Sequence, residues 1–126
     1  MSLKQTILVV EDEAPLRNIV RDKLVKDGYD VLTAKDGQEG VALALDKHPG
    51  LILLDINMPV MDGIAALKLI RADDWGKTAK VIMLTNYSDY GSVADTLALG
   101  TLDFLVKSDW KIEALMSVVR EKFDFS

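Results

Sequence analysis

Five short apolar runs recur along the chain: TILVV (6–10), YDVLTA (29–34), LILLD (51–55), KVIMLT (80–85) and LDFLV (102–106). They are rich in leucine or β-branched residues and bounded by polar residues or glycine. That is the pattern of strands covered on both faces. Stretches of helical period lie between them. In 14–27, Leu16, Ile19, Val20 and Leu24 are expected on one face, and in 37–47 Val41, Ala44 and Leu45. Further segments occupy 63–73 and 89–99, and in 110–123 Ile112, Leu115, Met116, Val119 and Phe123 recur at helical spacing. Asp36, Asp62 and Asp109 stand where helix N-caps are wanted, and Gly28 and Gly100 where helices stop. DDWGKTAK reads as a surface loop before the fourth run. Strand and helix thus alternate five times. Short connections between buried strands require a parallel sheet with helices on both faces, a doubly wound (βα)5 α/β fold. A length of 126 residues suits a single domain covering 1–126.

Composition removes several functions. A formal net charge of −5 provides no basic face for nucleic acid. The chain has no cysteine, so it has neither disulfides nor thiolate metal ligands, which suits a cytoplasmic protein. No apolar run approaches the roughly 20 residues of a membrane helix, and MSLKQTILVVEDE is broken by acids too early for a signal peptide.

Open parallel sheets bind ligands outside the carboxyl ends of their strands. There the first run delivers Glu11 and Asp12, the third Asp55, the fourth Thr85 and the fifth Lys107. Each has an ordinary reading. The acids can start a helix, Asp55 can open a turn, Thr85 can be a strand former and Lys107 a solvated side chain. Four coincidences at equivalent strand ends are harder to accept. Crowded carboxylates recruit a hard cation, and an all-oxygen set without His or Cys fits Mg²⁺. Asp12 and Asp55 would supply side-chain ligands, Glu11 would act through water, and Asn57 would offer its backbone carbonyl. Metal, Lys107 and Thr85 then cradle three phosphoryl oxygens, with Asp55 as the nucleophile that forms an aspartyl phosphate.

VVEDE, LILLDINMPVMDG, MLT and FLVK, in that order and spacing, closely resemble the receiver domain of two-component response regulators. The resemblance covers nearly the whole chain. It implies a flavodoxin-like sheet in the order 2-1-3-4-5, which the residues alone do not dictate. It implies that Asp55 accepts a phosphoryl group, with Mg²⁺ bound, from a sensor histidine kinase, a histidine phosphotransfer protein or a small phosphodonor. Glu11 and Asp12 match the acidic pair, Asn57 the carbonyl ligand, Thr85 and Lys107 the phosphoryl-gripping residues, and Phe104 the aromatic switch position. Movement of Thr85 and Phe104 would remodel the surface formed by the 89–99 helix, the fifth strand and the last helix. That surface would regulate a downstream effector protein or domain, and a phosphorylation-dependent homodimer is compatible with it. The domain would catalyse only its own phosphorylation and dephosphorylation.

Three positions depart from the family's common pattern. Glu11 stands where aspartate is usual and should still serve through water. Asn86 follows Thr85 where alanine or glycine is usual, and is expected to cover the phosphoryl site partly and slow small donors. Ser108 follows Lys107 where a cis proline is frequent, so a trans bond is expected. Tyr87, near the path of an attacking water, points with Asn57 to slow autodephosphorylation. Three other functions compete. An aspartyl phosphatase would want an acid two residues after Asp55, where Asn57 stands. A flavin carrier would want a phosphate loop where EDEAP places acids. A binding-only degenerate receiver would lack part of the site. Met58 and Met61 read as packing residues, His48 as exposed filler at a helix end, and Trp75 as a loop residue with its ring on the surface.

Overall fold

The computed structural model describes residues 6–56, 58–85, 103–106 and 112–124, with residues 85, 103–106, 112–113 and 122–124 described by backbone alone. Strands β1 (Thr6–Val10), β2 (Asp30–Ala34), β3 (Leu51–Asp55), β4 (Val81–Thr85) and β5 (Asp103–Val106) follow the expected runs to within one residue. Helices α1 (Ala14–Lys26), α2 (Gly37–Lys47) and α3 (Gly63–Ala72) connect the first four strands, and α4 (Ile112–Asp124) comes after β5. All pairings are parallel. The sheet runs β2-β1-β3-β4, and the β5 backbone continues it beside β4. The helix expected at 89–99, and the stop and cap expected at Gly100 and Asp109, lie outside the described residues.

Alternation along the strands divides the core in two. Leu8, Val10, Ile52, Leu54, Val81 and Met83 pack with Ala44 of α2 and Ala66, Leu67 and Ile70 of α3. Ile7, Val9, Leu51, Leu53, Ile82 and Leu84 pack on the other face with Val20 and Leu24 of α1 and Leu115, Met116 and Val119 of α4. A period of two sends neighbouring residues to opposite faces, so near-continuous apolar strands bury both sides of the sheet. β2 is the exception. It is an edge strand, and only Ala34 of it is fully buried.

The helix ends are held as their residues imply. Asp36 accepts from the Glu39 N–H and Asp62 from the Ala65 N–H, each at 2.8 Å. At the end of α1 the Gly28 N–H donates to Val25 O and the Tyr29 N–H to Leu24 O, with Gly28 at φ 99°. This double closure satisfies the last carbonyls and needs a left-handed residue, which glycine supplies without steric cost.

Several expectations are corrected. Ile19 is 52% exposed rather than buried with Leu16, Val20 and Leu24. At roughly 100° per residue those three form one stripe, and Ile19 falls off its edge. On α2, Leu43 rather than Leu45 joins Val41 against the core. The stretch around Gly76 is no simple loop. Trp75–Thr78 forms a 3-10 turn, with Gly76 buried on α3. Trp75 packs against the core and stacks on His48, with ring centroids 4.5 Å apart and planes 9° from parallel. His48 is exposed as expected, but it also ends α2 in a left-handed conformation at φ 50°. Arg71 ties the turn to α3, its guanidinium donating to Gly76 O at 2.6 Å and Ala79 O at 2.8 Å. Burial lowers the pKa of that guanidinium below the ordinary arginine value.

Candidate functional site

β1 and β3 are neighbours, with Val10 opposite Leu54. Residues leaving β1 therefore emerge level with Asp55, the last residue of β3. There Glu11, Asp12 and Asp55 present carboxylate oxygens that all lie within 4.8 Å of one another. Asp55 is 0% exposed and Glu11 1%, while Asp12 is half-buried. Three like charges this close repel, on the order of 3 kcal/mol per pair at an effective dielectric near 20. A cation among the three carboxylates would relieve that repulsion.

The cluster is held by backbone. The Glu11 N–H donates to Ala34 O at 3.0 Å, extending the β1–β2 ladder one residue past the strand. The Glu13 N–H donates to Glu11 Oε2 at 3.1 Å, and Arg17 Nη1 donates to Glu11 O at 2.8 Å. Behind Asp55, the Ile56 N–H donates to Leu84 O at 3.1 Å and the Gly63 N–H to Ile56 O at 2.7 Å. A Cβ at Gly63 would overlap the Asp55 carbonyl and press on Ile56 Cα at 2.8 Å. The loop can therefore close beneath Asp55 only with glycine there. Pro59 shapes the same loop, its carbonyl accepting from the Met61 N–H at 2.7 Å across Val60, which is held at φ 69°. Met58 and Met61 pack half-buried on the core, as expected.

The donors suit a small hard cation. An octahedral ion with bonds near 2.1 Å separates its ligand atoms by roughly 3–4 Å. One oxygen from each carboxylate lies within 4.8 Å of the other two, so direct ligation by two acids and contact through water for the third both fit such an ion. Oxygen-only donors with negative charge select Mg²⁺-like ions over softer metals.

The structure thus brings Glu11, Asp12 and Asp55 together. The backbone of Thr85 ends β4 one residue past Leu84, the partner of Asp55, and pairs with Val106, the residue before Lys107. The Thr85 and Phe104 side chains, and Asn57, Asn86, Tyr87, Lys107 and Ser108, lie outside the described residues. Arg17 was not singled out in the sequence. Its only sequence signal is a cation one helical turn beyond a run of acids.

The response regulator receiver domain family matches residues 7–120. The chemotaxis protein CheY of Bacillus subtilis is 38% identical over 113 residues, covering 86% of this chain and 92% of that protein. A probable transcriptional regulator, ycf27, of Porphyridium aerugineum is 37% identical over 123 residues. Those residues are 96% of this chain, which spans 50% of that protein's length. Among solved structures, the receiver domain of a Pseudomonas aeruginosa sensor histidine kinase superposes with a TM-score of 0.85 at 31% identity. That match covers 95% of this chain and 98% of the other, and that structure has a magnesium ion coordinated in its active-site cleft.

Proposed function

Because this chain belongs to the response regulator receiver domain family, matched over residues 7–120, we propose that it is a phosphorylation switch whose acceptor is Asp55. The observation that carries the reading is the buried Asp55 carboxylate, fixed at the end of β3 among the oxygens of Glu11 and Asp12. Receiver domains are regulatory domains that signal through phosphorylation and bind Mg²⁺ at such an acidic site. In this chain Glu11, Asp12, Asp55 and the Asn57 carbonyl are the proposed holders of the ion. When bound, the ion offsets negative charge on the acceptor and the incoming phosphoryl group.

An Asp55 oxygen forms the new O–P bond as the P–N bond of the donor's phosphohistidine breaks, and the electron pair stays with the imidazole. The β3 ladder and the Gly63 turn hold that oxygen, so little reorganisation precedes attack. Thr85 and Lys107 are the proposed partners of the phosphoryl oxygens. Thr85 and Phe104 are the proposed switch pair that reports the new charge to the surface of β5, the last helix and the segment between β4 and β5. The proposal includes one (βα)5 domain over 1–126 with a complete five-stranded sheet, a cytoplasmic site of action and slow hydrolysis of the aspartyl phosphate. The phosphodonor is a histidine kinase or phosphotransfer protein. The output is an effector protein or domain, with a phosphorylation-dependent homodimer as one form of it.

Incubation with Mg²⁺ and a small acyl phosphate or phosphoramidate tests this. The expected result is a base-labile, acid-stable phosphoryl mass gain on the wild-type chain and none on Asp55→Ala. No gain on the wild type, or an equal gain on the variant, would remove the reading.

A further inference from the structure

We propose that Arg17 is a positioning residue for the acidic cluster, locking the β1–α1 turn so that the chain binds a divalent cation more tightly. The proposal takes from the switch reading only the premise that Glu11, Asp12 and Asp55 share a cation.

Arg17 lies in the first turn of α1, where its own N–H donates to Glu13 O at 2.9 Å. Its half-buried side chain turns back across that turn, and Nη1 reaches Glu11 O at 2.8 Å. Glu11 is thereby held at three points. Its N–H is bound by Ala34 O at 3.0 Å, its carbonyl by Arg17, and its Oε2 by the Glu13 N–H at 3.1 Å. Two of these holds come from backbone on either side of the turn. Of these three, the Arg17 hold is the one made by another residue's side chain, which substitution can remove. The peptide it fixes joins Glu11 to Asp12, so rotation there would swing both carboxylates relative to Asp55.

Charge and position act in opposite directions here. A guanidinium on the Glu11 carbonyl repels a cation approaching the cluster, so charge alone predicts tighter Mg²⁺ binding once Arg17 is neutralised. Loss of position predicts weaker binding, because groups that orient metal ligands typically change affinity 10–100-fold. The sign of the change therefore separates the two effects. For a half-buried contact the lower end applies, about tenfold weaker.

The test titrates Mg²⁺ into the full chain by calorimetry, without any phosphodonor, for wild type, Arg17→Met and Arg120→Met. The last variant breaks an α4–α1 ion pair, Arg120 Nη1 to Asp27 Oδ2 at 2.8 Å, that touches no cluster residue. The expected result is a Kd about tenfold higher for Arg17→Met, an unchanged Kd for Arg120→Met, and faster hydrogen exchange at the Glu13 amide in metal-free Arg17→Met. An unchanged or lower Kd for Arg17→Met overturns the proposal, even if its melting temperature drops, because a purely structural role would move only the melt. If the methionine variant does not fold, Arg17→Gln is read the same way. Failure of Asp55 to take a phosphoryl group would remove the switch reading alone. Wild-type Mg²⁺ affinity in Arg17→Met would remove this inference alone.

Discussion

Two glycines frame different constraints at the scale of single residues. Gly28 has φ 99° and open space where a Cβ would stand, whereas Gly63 is walled in by the Asp55 carbonyl and Ile56 Cα. Gly28→Ala is therefore expected to cost about 1–2 kcal/mol of backbone strain and to leave Asp55 labelling unchanged. Gly63→Ala is expected to cost about 1–3 kcal/mol by overpacking and also to slow labelling, because the relief must move the acceptor's own backbone. Urea melts and phosphorylation rates on the two variants check the contrast. Val60 adds a third case. It is a β-branched residue at φ 69° that is 75% exposed, so its side chain gains little from its position. Val60→Asn should raise stability by about 1 kcal/mol, read from the same melts. The acids of the site were legible in the sequence because strand ends announce themselves by where apolar runs stop. Arg17 was not, because its role depends on a side chain folding back over a turn. The left-handed Val60 was not legible either, since nothing in MPVMDG marks a valine for that conformation.

Local signals set the boundaries of the elements, and tertiary contacts decide which faces are covered. Asp36 and Asp62 cap α2 and α3 through bonds only three residues long, which is why they could be read directly. Asp36→Ala and Asp62→Ala should each lower stability by about 1 kcal/mol, measured by urea melts. Only Asp62→Ala is expected to slow Asp55 labelling, since α3 begins where the loop beneath Asp55 ends. Ile19 shows the limit of periodicity, because a stripe of three residues has two edges and the sequence did not say which edge faced the sheet. The His48–Trp75 stack joins residues from separate connections. Such contacts follow from the sheet bringing the α2 end and the β4 entry together, and no short window contains them. The β2 edge was misread for a related reason. A run of five residues looks equally buried whether it has one neighbour or two, and only the strand order made Asp30–Ala34 the outer one.

On the scale of the whole molecule, the acidic cluster opposes the stability that the two cores provide. Both faces of the sheet are filled by large, fully buried aliphatic side chains, each contributing roughly 1.5–3 kcal/mol. Repulsion among Glu11, Asp12 and Asp55 subtracts from that sum until a cation joins them. Replacing Asp55 with a neutral group of the same shape should therefore act with opposite signs in two buffers. Without divalent ions, Asp55→Asn is expected to be more stable than wild type, because it removes two of the three repulsive pairs. With Mg²⁺ at about 100 times its Kd, the wild type gains about 2.7 kcal/mol by mass action, and the variant, with a weaker site, gains much less. The stability order then narrows or reverses as Mg²⁺ is added. Thermal melts of both chains across a Mg²⁺ series measure the two slopes directly. A variant no more stable than wild type in chelator, or one that gains as much from Mg²⁺, would show that these three carboxylates neither strain the fold nor share an ion.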